Sequence, residues 1–286
     1  MSWVSPELSL AGQHPLVLAV LFVSGFLASS INAVAGGGSL ITFPLFVAFG
    51  VPPVSANATT AVALWPGSLA SAFGYRDQLA AAKHHLPFLI PPTVFGSLFG
   101  AWLLTHTPAR IFDFVVPILI LVATMLLAFQ GQIRAKMLGA KARLSTSAGV
   151  VLQFVLSVYG GYFGAGMGII MLALFGFFVE GTLHEHNALK NGLAVTVNVV
   201  ASLFFLQAGL LWIIPGLFVM AGAIAGGYVS ARLATRVDPA KLRRVIVALG
   251  CVMTVWFIRK AWSNTRRDGC VRRRLAIPGR LERPTS

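Results

Sequence analysis

A stripe of polar side chains runs through an apolar part of the chain, and it includes a lysine. Four residues at helical spacing share one helix face: Asn187, Lys190, Asn191 and Asn198. An ionisable group at the centre of a membrane helix costs roughly 2.5–3.5 kcal/mol. Two interpretations of Lys190 therefore compete. Either it is a counter-charge for an anionic substrate, or its ammonium group reaches the nearby membrane interface.

A second polar stripe lies in the first half of the chain and consists of Asn57, Thr60, Ser68 and Ser71. The asparagines of both stripes are expected to be buried polar groups. Some of them are expected only to hydrogen-bond neighbouring helices, as polar residues do in membranes.

Two glycine clusters lie near the middle of long apolar segments. The first is Gly36-Gly37-Gly38, and the second contains Gly160, Gly161, Gly164, Gly166 and Gly168. Because glycine has poor helix propensity, both segments are predicted to break there. A half-helix that begins at a break exposes unpaired N–H groups and a positive dipole end, which attract an anion. The alternative is that the glycines only allow close helix packing.

The acidic residues are informative because none falls inside an apolar segment. All eight lie in loops, at segment ends or near the termini: Glu7, Asp77, Asp113, Glu180, Glu185, Asp238, Asp268 and Glu282. The membrane interior is therefore expected to lack a carboxylate that relays protons or holds Na⁺.

The remaining polar residues give little support to catalysis or metal binding. Ser39 follows three glycines, an arrangement that can mark a nucleophile, but all six histidines sit at segment edges, away from it. His184-Glu185-His186 has no third ligand nearby, so it is interpreted as a polar cluster at a loop end. We expect no enzymatic activity, no metal and no cofactor.

The elements that must position these residues are apolar segments of membrane-spanning length. Of the 286 residues, 57% are hydrophobic and only 10% are charged, and the mean hydropathy is +0.81. Most segments approach the ~20 residues that cross a bilayer as a helix. Eight can be counted, at roughly 16–50, 56–75, 86–105, 111–130, 147–179, 187–208, 210–231 and 245–258. This pattern predicts an all-α polytopic membrane bundle of about eight segments.

The first and fifth segments are too long for single crossings, because 16–50 would measure about 50 Å as one helix. Each is expected to divide into half-helices or to form a re-entrant hairpin. Similar motifs recur in the same order after each long segment, which predicts two similar halves. The predicted organisation is an N-terminal extension (1–15), a first membrane repeat (16–130), a basic linker (131–146), a second membrane repeat (147–258) and a basic tail (259–286).

The relative orientation of the two halves stays open at this point. Four crossings per half would make the repeats parallel, and three would make them inverted. The net charge of +14 does not decide it, since basic residues occur at 134–143, at 232–244 and in the tail. Such a distribution favours contact with membrane lipid over nucleic acid.

Three runs of the sequence resemble the TauE/SafE family of sulfite and organosulfonate exporters. They are NAVAGGGSLITFPLFVAFGVPPVSANATTAVALWPGSLASAFGYR, YGGYFGAGMGIIML and HNALKN, and the similarity covers roughly residues 16–258. The resemblance implies a duplicated domain of about eight segments that exports sulfite, sulfoacetate or related anions. The matching motif positions are Asn32, Gly36, Gly37, Gly38, Asn57, Trp65, Pro66, Arg76, Gly164, Gly166, Asn187, Lys190 and Asn191.

We therefore predict a multi-pass protein of the bacterial inner membrane that moves a small anion, most specifically a sulfur-containing one. The alternatives are a transporter of another small organic or inorganic anion, and a membrane assembly protein that transports nothing. Whether the chain forms a homo-oligomer is left open. The predicted substrate-binding residues are Asn32, Gly36, Gly37, Gly38, Ser39, Asn57, Gly164, Gly166, Asn187, Lys190 and Asn191.

Overall fold

The computed structural model describes residues 15–34, 36–138 and 144–233, together with helical positions between 247 and 259. Within these ranges the protein is all-α, as predicted. The helices are α1 (Pro15–Val34), α2 (Ser39–Ala48), α3 (Pro53–Gly74), α4 (Arg76–Ala81), a 3-10 turn (Lys83–His85), α5 (Leu86–His106), α6 (Ala109–Leu138), α7 (Thr146–Tyr162), α8 (Met167–Phe178), α9 (Leu183–Gln207) and α10 (Ile213–Leu233).

Five of the described helices are long and apolar enough to cross a membrane: α1, α5, α6, α9 and α10. The chain is therefore a multi-pass membrane protein. α3 has 22 residues, which is also sufficient length, but it carries the polar stripe that lowers its hydropathy. That stripe is buried, since Asn57, Thr60, Ser68 and Ser71 are each at most 4% exposed.

The first long segment breaks at its glycines, and the chain then turns back. α1 ends at Val34 and α2 begins at Ser39. Gly38 lies so close to α1 that an added Cβ would overlap the Ala28 carbonyl. In one continuous helix these two positions would be about 15 Å apart. α2 therefore runs back along α1 instead of continuing away from it.

The second long segment forms a clearer hairpin. α7 ends at Tyr162, α8 begins at Met167, and the backbone N–H of Leu144 donates to the Phe177 carbonyl at 3.0 Å. The chain just before α7 thus lies beside the end of α8. The segment returns to the side of the bundle from which it started, which is the re-entrant alternative.

Glycine backbones join each hairpin to a crossing helix. α1 packs on α10, where Gly222 and Gly226 meet the backbone of Phe22 and Phe26. α7 packs on α5, where Gly100 meets the backbone at Val158. Small residues let membrane helices approach this closely, so many of the glycines serve packing.

The domain boundaries remain predictions. The N-terminal extension and the basic tail lie outside the described residues, except for Pro15 and Arg259. α6 continues to Leu138, so the start of the predicted 131–146 linker is helical. The arrangement in two similar halves also stays a prediction, although both broken segments form the same kind of turn.

The re-entrant hairpin of α7 and α8 predicts that both of its ends are accessible from the same side of the membrane. In a protein whose Cys251 and Cys270 are replaced by alanine, we expect Thr146→Cys and Glu180→Cys to react with a membrane-impermeant maleimide from the same side. Ala208→Cys, beyond the other end of α9, should react from the opposite side. Labelling of Thr146→Cys and Glu180→Cys from opposite sides would show that α7 and α8 cross the membrane as one rod.

Candidate functional site

The two hairpin tips meet α3 and α9 around a cavity lined by both polar and apolar groups. Its volume is about 40 Å³, and since a buried water needs roughly 10–15 Å³, it has room for a few waters or one small anion. The lining residues are Asn32, Ser39, Asn57, Thr60, Ala61, Leu64, Phe163, Gly164, Met167, Gly168, Lys190, Asn191, Ala194 and Asn198.

Hydrogen bonds at the N-terminus of α9 fix where this helix begins, and so determine which of its residues reach the cavity. Thr182 and Glu185 form a capping box, in which Thr182 N–H donates to Glu185 Oε2 at 2.7 Å and Glu185 N–H donates to Thr182 Oγ1 at 3.3 Å. The His186 ring bonds the Val179 carbonyl at 3.0 Å. The His184-Glu185-His186 cluster thus belongs to a helix start. From there, helical spacing carries Lys190, Asn191 and Asn198 to the cavity.

Lys190 is buried, with 1% of its surface exposed. Its Nζ donates to the Asn32 carbonyl at 3.0 Å and to the Ala33 carbonyl at 3.5 Å. These carbonyls belong to the C-terminal turn of α1, where helix carbonyls lack intrahelical partners and carry a partial negative charge. The interpretation that Lys190 reaches the membrane interface is therefore wrong.

Asn57 makes a comparable contact from α3. Its Nδ2 donates to the Tyr162 carbonyl at the end of α7, at 2.9 Å. Asn191 Nδ2 reaches the Ala33 carbonyl at 3.5 Å, beside the Lys190 contact. Each of the two stripe-bearing helices thus holds the broken end of a hairpin from the other part of the chain.

The glycines at the two tips make the turns and the contact between them. Gly36 and Gly37 have φ of 78° and 98°, and Gly164 and Gly166 have φ of 73° and 74°. These are left-handed conformations that favour glycine. A Cβ on Gly36 would lie 3.0 Å from the Gly168 Cα. The two tips therefore touch backbone to backbone next to the cavity.

The amide groups at the tips are less bare than the sequence suggested. Leu40 and Ile41 donate to the Gly37 and Gly38 carbonyls. Met167 likewise donates to the Gly164 carbonyl, at 3.2 Å. The beginnings of α2 and α8 still direct positive dipole ends towards the cavity through Ser39 and Met167.

The structure brings six of the predicted residues together in the lining: Asn32, Ser39, Asn57, Gly164, Lys190 and Asn191. Five others are absent from it: Gly36, Gly37, Gly38, Gly166 and Asn187. Gly38 packs on α1 and Gly166 lies against Ala123 of α6. Asn187 is buried one turn before Lys190.

The sequence analysis did not predict several of the residues that line the cavity. Thr60 and Asn198 belong to the two polar stripes, so their spacing was a usable signal. Phe163 and Met167 lie within the second glycine cluster but have no chemistry that marks them. Ala61, Leu64 and Ala194 are apolar residues between polar ones, which a sequence cannot distinguish from packing positions.

Among the lining residues of the described ranges, Lys190 is the only one with a full charge, and no carboxylate is present. Asn32, Asn57, Asn191 and Asn198 add amide groups, and Thr60 adds a hydroxyl. A buried cation surrounded by neutral donors is suited to holding an anion.

The fold and this cavity are those of a polytopic membrane transporter. The family model for the sulfite exporter TauE/SafE matches residues 21–257. The chain belongs to the TauE/SafE family, as its motifs indicated, and is a membrane transporter of that family.

Curated relatives carry the same general description. A probable membrane transporter protein of Haemophilus influenzae is 31% identical over 244 residues, which is 83% of this chain and 93% of the relative. The probable membrane transporter protein YfcA of Escherichia coli K12 is 26% identical over 244 residues, 84% of this chain and 89% of the relative. A third, ORF9 of Sinorhizobium sp, is 27% identical over 251 residues, 84% of this chain and 91% of the relative. No solved structure matches the chain.

The close approach of Gly38 to α1 can be tested by adding one methyl group. We expect Gly38→Ala to lower the melting temperature of the detergent-purified protein, because the new Cβ would overlap the Ala28 carbonyl. Overpacking of this kind typically costs about 1–3 kcal/mol.

Gly192→Ala is the matched control for Gly38→Ala. Its Cβ would meet only the Leu79 side chain, at 3.8 Å, and alanine favours a helix by up to ~1 kcal/mol over glycine. The melting temperature should stay level or rise. An unchanged melting temperature for Gly38→Ala would contradict the tight turn described here.

Proposed function

We propose that this protein carries a small sulfur-containing anion, such as sulfite or sulfoacetate, across the bacterial inner membrane. The observation that supports an anion is Lys190, the one formal charge in the lining of the cavity among the residues described. The family description supports the sulfur-containing class. We also infer that the chain is not an enzyme, since its family is one of membrane transporters.

The geometry around Lys190 leaves it able to bind a ligand. An ammonium group has three N–H donors, and two of them are directed to the Asn32 and Ala33 carbonyls. The third is available for an oxygen of an anion in the cavity. The carbonyls keep the ammonium in place before the anion arrives, so little reorganisation is needed on binding.

The neutral polar groups around Lys190 would complete the shell of such an anion. Asn198 Nδ2 donates within α9, to the Ala194 carbonyl at 2.9 Å. The Thr60 side chain is 98% buried, and its hydroxyl has no hydrogen-bond partner in the part of the chain described. An unsatisfied buried hydroxyl is costly. An anion oxygen that accepts from Thr60 would remove that cost.

Electrical driving force is sufficient for export. An interior-negative potential moves one negative charge outward with about 2.3 kcal/mol per 100 mV. No carboxylate lines the described cavity to couple transport to protons or Na⁺. We therefore propose that the anion moves down its electrochemical gradient.

Replacing the lysine tests this function. Lys190→Met keeps a long flexible side chain without charge, and we expect sulfite efflux from proteoliposomes to fall about tenfold or more, since a charge-assisted hydrogen bond contributes roughly 1.5–3 kcal/mol. Lys83→Met is the matched control because Lys83 is exposed in the 3-10 turn. It should transport like the wild type.

Two further measurements separate the possibilities. Sulfite should raise the melting temperature of the wild type but not that of Lys190→Met, which distinguishes lost binding from lost folding. Wild-type flux of another small anion, without flux of sulfite or sulfoacetate, would replace the sulfur assignment. A wild type that moves no anion at all would instead favour a membrane assembly role.

A further inference from the structure

We propose that the cavity selects singly charged anions over doubly charged anions of the same size. This inference rests on the proposed function and narrows its substrate class: sulfite near neutral pH is partly the monoanion hydrogensulfite, which fits the proposal, whereas sulfoacetate is a dianion and becomes the less favoured of the two. It comes from the number and sign of the charges that the described structure places around the cavity.

The side chains contribute one positive charge. Lys190 is 1% exposed, so water screens its charge poorly. In the sequence register that aligns Asn57 with Asn187, Thr60 is the counterpart of Lys190, and both residues line the cavity. Thr60 contributes a hydroxyl there and not a second ammonium.

The helix ends contribute almost no net charge. Each hairpin brings one C-terminal end and one N-terminal end to its tip: α1 with α2, and α7 with α8. A helix C-terminus acts as roughly −0.5 charge and an N-terminus as roughly +0.5. The partial charges of the two helix ends at each tip therefore cancel, so the net charge beside the cavity is that of Lys190.

The four lining asparagines donate or accept hydrogen bonds without adding charge. They can replace much of the water around an oxyanion, but they cannot neutralise it. A monoanion would be matched by Lys190. A dianion would bring a second charge into a buried site that has no further cation for it, which is unfavourable.

The test uses two anions of similar shape and different charge. Sulfamate and sulfate are both tetrahedral at sulfur, but sulfamate carries one negative charge and sulfate carries two. Initial uptake is measured in wild-type proteoliposomes with the membrane potential clamped at zero, so that the driving force does not depend on charge. We expect sulfamate to enter about tenfold faster or more.

The possible results are distinguishable. Sulfate uptake equal to or faster than sulfamate uptake overturns the charge selection while leaving anion transport intact. If neither anion moves, and sulfite and methanesulfonate are also excluded, the proposed function fails and this inference fails with it.

A second cation at the matching position gives an independent test. Thr60→Lys should shift the sulfate-to-sulfamate ratio towards sulfate by about tenfold, whereas Thr60→Met should lower both fluxes and keep the wild-type ratio. A folded Thr60→Lys protein with an unchanged ratio would contradict the charge count. If Thr60→Lys does not fold, the ratio of sulfate to sulfamate uptake by the wild type still tests the proposal.

Discussion

The bond between the Lys190 ammonium and the end of α1 is the constraint on which the rest of the structure depends. A lysine buried in a membrane needs partners that replace water. The Asn32 and Ala33 carbonyls can serve only because α1 stops there, which leaves them without intrahelical donors. The glycine break and the buried charge therefore require each other. A continuous helix in place of α1 and α2 would leave Lys190 without these acceptors.

Hydrogen bonds of this kind link both broken segments to the two helices that carry the polar stripes. α9 holds α1 through Lys190 and Asn191, while α3 holds α7 through Asn57. The helix that holds each break lies far away in sequence, so the hairpins cannot be positioned until the two parts of the chain have packed together. The cavity forms where these contacts converge, and its lining comes from both parts.

Sequence patterns predicted the local features of this site better than the distant contacts. Segment length and glycine content predicted both breaks, and helical spacing predicted that Lys190, Asn191 and Asn198 share a face. The same patterns left the role of Lys190 undecided, because its partners at Asn32 and Ala33 are determined by tertiary packing. Gly38 and Gly166 were predicted to bind substrate, but the structure places them in packing contacts. A glycine needed for close packing and a glycine needed for binding look the same in a sequence.

The hairpins also show which loops share a side, which loop charges alone did not settle. The His85 ring bonds the Glu180 carbonyl at 3.1 Å, so the end of the bundle with Lys83 also carries the start of α7 and the end of α8. Crossing back through α9 and α10 returns the chain to this end, just before the basic segment 234–244 in sequence. Arg76 lies at this end as well. Under the positive-inside rule the charges of these loops favour the cytoplasmic side for this end, while the basic tail from 259 adds charge that these loops do not account for. On the cytoplasmic orientation, the outward anion movement proposed above would start from this end.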